Sequence, residues 1–444
     1  MSLLDESNIM TKTKILQFLV SLTACTVGVL STSGNETSRP NFLFIFADDL
    51  TFEAVHALGN SDVKTPNIDR LASQGMTFTH AYNPGAWGGA VCVASRTMLL
   101  TGKFLWEAHR DYPKTDEVYR QTGKMWPQTL AAHGYDTYFS GKWHVRAPAD
   151  QAFQTARHVR PGMPNQTPEG YHRPNPNVPD FWSPYDRKFE GFWKGGKHWS
   201  EVLADDAEDY LEMATEDEDP FFMYLAFNAP HDPRQAPKEY VDMYDPDQLT
   251  IPLNFLPEYP WDIGANKIRD EVLAPFPRTE HIVQVHLQEY YAIITHMDAQ
   301  IGRILDALEK TGKADNTYIV FTADHGLAVG SHGLMGKQNQ YEHSVRPPFI
   351  MVGPNIAQGS RVSKPIYLQD IHPTTFDLAG IETPEHVDFK SIAPYLHGDY
   401  ECEHYSSVYG AYTQTQRMVI HEGFKLIVYP KIGKTLLFDL EKDP

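Results

Sequence analysis

The sequence predicts an α/β fold: a large mixed, mainly parallel sheet flanked by helices, with a smaller antiparallel-sheet subdomain at the C-terminal end. Three observations predict it. Strand-like and helix-like stretches alternate along the chain, as in strands joined by helical crossovers. Asn41 to Ala47 is a continuous apolar run, suited to a strand buried on both faces. After about Gly359 the alternation gives way to one helical stretch and then short strand-like pieces at close spacing.

The elements follow in order. The strand at Asn41 to Ala47 leads to a helix from Pro66 to Gln74, with Thr65 as its cap, Pro66 as its first residue and Gly75 as its stop. Ile68, Leu71 and Ala72 share one face of it. Further strands are expected at Tyr135 to Ser140, Phe221 to Phe227, Tyr318 to Thr322 and Pro348 to Val352, and long helices at Ser200 to Met213 and Val283 to Lys310. Residues 147–197 are rich in Pro, Gly, Asn, His and aromatics without periodicity; they read as a loop insertion that shapes a binding site. The C-terminal part holds a helix near Ile371 to Ala379 and strands at Ser407 to Tyr412, Arg417 to Ile420, Lys425 to Tyr429 and Thr435 to Asp439. The division expected is a leader over 1–34, a main domain over 38–358 and a C-terminal subdomain over 359–444.

The chain of 444 residues is 41% hydrophobic, enough for a sizeable core. Its formal net charge of -19, from 38 basic and 57 acidic residues, excludes a general nucleic-acid footprint. It does not exclude a small basic pocket, because charges beyond about 8 Å are screened at physiological salt. Lys12 and Lys14 precede an apolar run from Ile15 to Leu30, which is short for a membrane span and fits an export leader. Leu22-Thr23-Ala24-Cys25 resembles a bacterial lipobox. Two readings stay open: Cys25 as a lipid anchor at the cell surface, or a leader cut further on and Cys25 discarded. The protein is expected to be secreted or periplasmic. Past the leader only Cys92 and Cys402 remain, which excludes a disulfide framework.

Asp48-Asp49 stands directly after the first strand, and Asp324-His325-Gly326 directly after another. Either alone is an ordinary turn. Together they bring three carboxylates and an imidazole to the carboxyl ends of two strands, where open α/β sheets bind ligands. Such carboxylates repel one another unless a cation sits between them, and oxygen-dominated ligation points to Ca²⁺ or Mg²⁺ rather than zinc. Residues 92–103 read Cys-Val-Ala-Ser-Arg-Thr-Met-Leu-Leu-Thr-Gly-Lys. A thiolate phosphatase would space its cysteine and arginine as C-x5-R, which needs arginine where Met98 stands.

That twelve-residue stretch resembles the signature of the sulfatase family, C-x-P-S-R followed by x-x-L-x-T-G-R or -K, with Ala94 at the usual proline position. Gly141-Lys142-Trp143-His144, Ala229-Pro230-His231 and Gly330-Ser331-His332-Gly333 leading to Lys337 are similar to further family motifs, in order. His325 is similar to the iduronate-2-sulfatase and choline-sulfatase branches. The resemblance runs from about Pro40 to the C-terminus and implies an alkaline-phosphatase-like fold. It also implies Ca²⁺ held by Asp48, Asp49, Asp324, His325 and residue 92, and Cys92 oxidised to formylglycine by a maturation enzyme. Hydrolysis of sulfate monoesters is implied, with a hydroxyl of the hydrated aldehyde attacking sulfur. Lys142, Lys337 and His231 would bind sulfate, and His231 or Lys337 would protonate the leaving group. His144 would take the proton from the second hydroxyl, and Arg96 would hold the diol and the residue 92 loop in place. Ca²⁺ and the three aspartates sum to about −1, and Arg96, Lys142 and Lys337 add +3, a balance attractive to sulfate. A helix starting near Ser95 would add its amides.

The insertion and the residues after it carry His172, Arg173, His198 and Trp199, candidate substrate-binding residues suited to a sulfated polysaccharide or oligosaccharide. A phosphodiesterase or phosphonate monoester hydrolase with the same nucleophile, and a glycan-binding protein whose Cys92 is never matured, are the alternatives. The ending Leu437-Phe438-Asp439-Leu440-Glu441-Lys442-Asp443-Pro444 resembles a family segment that continues into a final helix, so a longer C-terminus is expected.

Overall fold

Phe42, Phe44 and Phe46 of the first strand, β1 (Asn41–Ala47), pack into one apolar cluster, and Leu43, Ile45 and Ala47 into another. A strand that buries both faces must lie inside a sheet covered on each side. The computed structural model, which describes residues 39–162, 167–191, 193–216, 218–264 and 268–442, places it so. The other large-sheet strands are β2 (Met76–Phe78), β3 (Asp136–Lys142), β4 (Thr155–Arg160), β5 (Phe221–Ala226), β6 (Thr317–Ala323), β7 (Phe349–Val352) and β8 (Ser360–Val362). Their order is β8-β2-β7-β6-β1-β5-β3-β4. Only β7 opposes its neighbours; every other pairing is parallel.

Helices cover both faces. On one side α3 (Trp199–Met213) and the 31-residue α4 (Glu280–Lys310) pack Leu203, Tyr210, Ile293 and Met297 against Leu43, Leu225 and Phe321. On the other, Trp126 and α5 (Ile371–Leu378), through Phe376, meet Phe44, Tyr224 and Val320. The helix over Pro66–Gln74, α1, forms over the expected span. Its cap differs from expectation: the Asn67 and Ile68 N–H groups donate to the Asp298 carboxylate of α4 at 3.1 and 2.8 Å. The Thr65 hydroxyl donates instead to Asp69 at 3.0 Å. A buried carboxylate from a neighbouring helix serves these orphan amides as a local cap would.

Four strands, β9 (Val408–Tyr412), β10 (Gln416–His421), β11 (Phe424–Tyr429) and β12 (Lys434–Asp439), form the expected antiparallel sheet. The short strand Gly85–Ala86 joins it beside β9, so this sheet anchors the chain just ahead of residue 92. Two boundaries move. β8 lies past residue 358 yet belongs to the large sheet, and β4 lies inside the stretch read as loop. β4 is an edge strand with the sequence Thr-Ala-Arg-His-Val-Arg, too polar to alternate visibly. The leader with Cys25 falls outside the described residues. Among the described residues no helix is long and apolar enough to cross a membrane.

Four buried histidines stay neutral in this core. Burial pushes His372 down to about 3 and holds His198, His286 and His343 well below the usual imidazole range. His372 stacks on Trp126 at 5.4 Å, and its Nδ1 faces the Leu99 carbonyl at 2.7 Å. The unfolded chain protonates this ring below about pH 6.5, whereas the folded one does not. Its contribution is therefore present above pH 6.5 and lost as pH falls towards 3. The stability of His372→Phe relative to the parent should rise by about 1.4 kcal/mol per pH unit over that window. Urea titrations at pH 7.5 and 5 check it.

Candidate active site

The site collects at the carboxyl ends of the central strands. Asp48 and Asp49 follow β1, Lys142 ends β3, His231 lies in the turn after β5, and Asp324 and His325 follow β6. Asp49 has φ of +69°, and its N–H donates to Asp324 Oδ1 at 3.1 Å. Glycine is required just before Lys142. Gly141 has φ of +101°, and a Cβ there would lie 2.0 Å from the Ala226 carbonyl oxygen of β5. Gly141→Ala should cost about 3 kcal/mol, measured by denaturant unfolding, and should cut activity because Lys142 shifts with its strand.

Cys92 comes from α2 (Val91–Thr101), whose residues are all buried. This helix starts at Val91, not near Ser95, because the chain turns in directly after Gly88-Gly89-Ala90; Cys92 therefore sits in its first turn. The Ser95 hydroxyl donates to the Asp324 carbonyl at 2.8 Å. Arg96 donates through Nε to Asp324 Oδ2 at 3.2 Å and through Nη1 to the Lys142 carbonyl at 2.8 Å. One helix turn thus ties residue 92 to two strand ends.

Around the Cys92 sulfur stand His325 Nε2 at 3.4 Å, Lys337 Nζ at 3.5 Å and Asp49 Oδ1 at 3.9 Å. Lys337 donates to both Asp49 oxygens at 2.8 and 2.7 Å, and Lys142 donates to Asp48 Oδ2. His231 places Nε2 3.1 Å from Lys337 Nζ, while its Nδ1 faces the Asp232 carbonyl at 2.7 Å. His144 has φ of +57°; it lines the same cavity as Cys92, and its buried Nδ1 has no hydrogen-bond partner. The structure therefore brings together Asp48, Asp49, Cys92, Arg96, Lys142, His144, His231, Asp324, His325 and Lys337.

The electrostatics are those of charges removed from water. Burial, then the charge of Asp48, pushes Asp324 up to about 8, and burial raises Asp49 as well. Burial opposes the Asp48 carboxylate, but Lys142, His231 and Arg96 hold it below the usual range. Burial opposes the Cys92 thiolate too, yet Lys142, Lys337 and His325 bring it well below the ordinary thiol range. Asp48 Oδ1 is buried without a hydrogen-bond partner. Ligand atoms of Asp48, Cys92, Asp324 and His325, and of Asp48, Asp49, Cys92 and His231, all lie within 4.8 Å of one another in each set. An orphaned carboxylate oxygen amid oxygen-rich donors fits a hard divalent cation.

A cavity of about 200 Å³ opens over Cys92, His144, His231 and Lys337. A larger one of about 700 Å³, bordered by Tyr290, Tyr341 and Phe438, shares no lining residue with it. The four residues singled out near the insertion do not line the 200 Å³ cavity. Arg173 is buried in ion pairs with Glu289 and Asp180 at 2.8 and 3.0 Å. His198 is buried at the start of α3, facing the Gln235 carbonyl at 2.8 Å. Trp199 packs under Arg160 at 4.7 Å, and His172 is exposed. The rim is formed instead by Arg269, Asp270 and Gln338, which belong to no motif; an Arg-Asp pair in a polar loop was the only trace of them in the sequence.

A family model described as Sulfatase matches residues 40–381, and one described as N-sulphoglucosamine sulphohydrolase, C-terminal, matches residues 330–444. The chain is similar to an ulvan-active sulfatase of Formosa agariphila, 29% identical over 81% of this chain and 65% of that protein. It is similar to an N-acetylglucosamine-6-O-sulfatase of Bacteroides thetaiotaomicron, 26% identical over 92% of this chain and 82% of that one. Among solved structures, one in complex with its substrate D-glucosamine-2-N,6-O-disulfate superposes with a TM-score of 0.73. It is 24% identical and covers 92% of both chains.

Proposed function

Because the chain belongs to the sulfatase family, and is a sulfuric ester hydrolase by that membership, we propose that it releases sulfate from a sulfated polysaccharide or its oligosaccharides, with Cys92 matured to formylglycine and Ca²⁺ bound beside it. The observation that carries this reading is the position of Cys92, buried in the first turn of α2 between Lys337 and His325 and among three strand-end carboxylates. The activities in the names of the two similar proteins support a glycan substrate. An export leader, with or without a lipid anchor at Cys25, accords with a substrate outside the cytoplasm.

Asp48, Asp49, Asp324 and His325 would hold the calcium ion, with residue 92 completing the set. When bound, the ion supplies positive charge to polarise a sulfate oxygen, and the hydrated aldehyde supplies the attacking hydroxyl. The rest falls to the side chains. Lys142 and Lys337, each now paired to an aspartate, are placed to bind sulfate oxygens once a dication takes over those carboxylates. His231 keeps its Nδ1 proton on the Asp232 carbonyl. With Nδ1 so engaged, Nε2, 3.1 Å from Lys337 Nζ, is the ring atom placed to protonate the departing alcohol. Burial lowers His144; that neutral ring can accept the proton of the remaining hydroxyl. Arg96, tied to Asp324 and the Lys142 carbonyl, would hold the helix turn that carries residue 92.

Parallel assays on an aryl sulfate and an aryl phosphodiester test the reading. Sulfate release should dominate in kcat/KM; a preference for the phosphodiester would favour the phosphorus-ester alternative.

A further inference from the structure

Asp48 and Asp49 leave β1 in different ways. The Asp48 N–H still follows the sheet, donating to the Ala229 carbonyl at 3.0 Å. Asp49 does not: its φ of +69° puts it in the left-handed region, which few residues other than glycine adopt. Its side chain serves the site. Both of its oxygens accept from Lys337, at 2.8 and 2.7 Å, and Oδ1 lies 3.3 Å from His325 Nε2. The direction of that carboxylate depends on what holds the backbone turn beneath it.

One side chain from outside the site does so. Tyr290, buried on α4, donates its hydroxyl proton to the Asp49 carbonyl at 2.7 Å and accepts the Thr51 N–H at 3.1 Å. The phenol oxygen thus closes the turn from Asp49 to Thr51, acting as donor at one end and acceptor at the other. The Tyr290 ring is itself fixed. The Arg234 guanidinium lies over it, 5.3 Å from its centroid, and Arg234 Nη1 is 3.3 Å from Nδ1 of His286, one turn earlier on α4. A long helix packed on the sheet therefore sets the backbone of a residue at a strand end. None of Tyr290, Arg234 and His286 lines the Cys92 cavity.

Resting on the calcium ion of the proposed function, we propose that Tyr290 is a positioning residue: its hydroxyl holds Asp49 in the left-handed turn from which the carboxylate reaches the metal. The demand on it is greatest in the loaded site. Where Lys337 and Asp49 are paired, the lysine steadies the carboxylate directly. Once the cation takes that carboxylate and Lys337 turns to sulfate, the direction of Asp49 rests on its backbone. Removing the hydroxyl leaves a buried carbonyl and a buried N–H without their partner, and the turn relaxes at the expense of metal binding.

Tyr290→Phe removes one oxygen and keeps the ring. In calorimetric titration of the metal-stripped, matured enzyme with calcium, its Kd should rise about tenfold. At saturating calcium its kcat/KM should return to within about threefold of the parent value. Tyr291→Phe is the control: that hydroxyl accepts from Asn60 at 3.1 Å, and its removal should leave the calcium Kd unchanged. A merely structural hydroxyl at position 290 would lower the melting temperatures of the metal-free and calcium-loaded proteins equally and leave Kd where it was. An unchanged Kd in Tyr290→Phe, or a variant that no longer folds, overturns this proposal alone. A parent enzyme that binds no calcium overturns the calcium assignment and this proposal with it.

Discussion

Replacing Cys92 by alanine should abolish sulfate release, a loss on the order of 10⁶-fold by comparison with other nucleophile deletions. Alanine suits the first turn of α2 at least as well as cysteine. The fold should therefore persist, as should calcium binding by the four remaining ligands. Cys92→Ser should be equally inactive in a host whose maturation enzyme accepts only cysteine. A serine hydroxyl that did attack would be left as a stable sulfate ester, with no second hydroxyl to expel it, and would give at most one turnover. Steady-state hydrolysis together with unfolding curves with and without calcium reads both parts.

Asp324→Asn should lose metal and activity together, with activity down on the order of 10³-fold. This residue is the hinge of the site's charges: its oxygens receive the Asp49 N–H and Arg96 Nε, and its own carbonyl receives the Ser95 hydroxyl. Asparagine keeps the shape and removes the ligand charge that nothing nearby replaces. The parent enzyme should lose activity to a chelator, regain it with calcium, and be raised in melting temperature by calcium. The variant should show neither the recovery nor the rise. Undiminished turnover by a rigorously metal-free parent enzyme would contradict the calcium assignment.

Much of this was legible before the fold. The buried strands announce themselves because both faces are apolar, and α1 because Pro66 and Gly75 bracket an amphipathic pattern. Of the candidate site, Asp48, Asp49 and Asp324 were legible because they stand directly after strands, whose ends the α/β arrangement brings to one edge; Cys92, Arg96 and Lys337 follow no strand and were named through the family resemblance. What escaped lacks a local signature. β4 is a polar edge strand, and β8 has only three residues. The cap of α1 comes from Asp298, more than two hundred residues away, which no neighbouring sequence encodes. Arg173 and His198 suggested substrate contact by composition, but Glu289 and Asp180 hold the first and the Gln235 carbonyl the second within the fold. The rim residues Asp270 and Gln338 meet only through tertiary packing.

The central claim is the chemical state of residue 92. Mass spectrometry of the peptide containing it, from protein made in its native source, tests this directly, before and after exposure to an aldehyde-specific reagent. The account predicts an aldehyde in place of the thiol, shifted by the reagent, in proportion to the specific activity of the preparation. Full activity from protein whose residue 92 is entirely an unmodified thiol would contradict it.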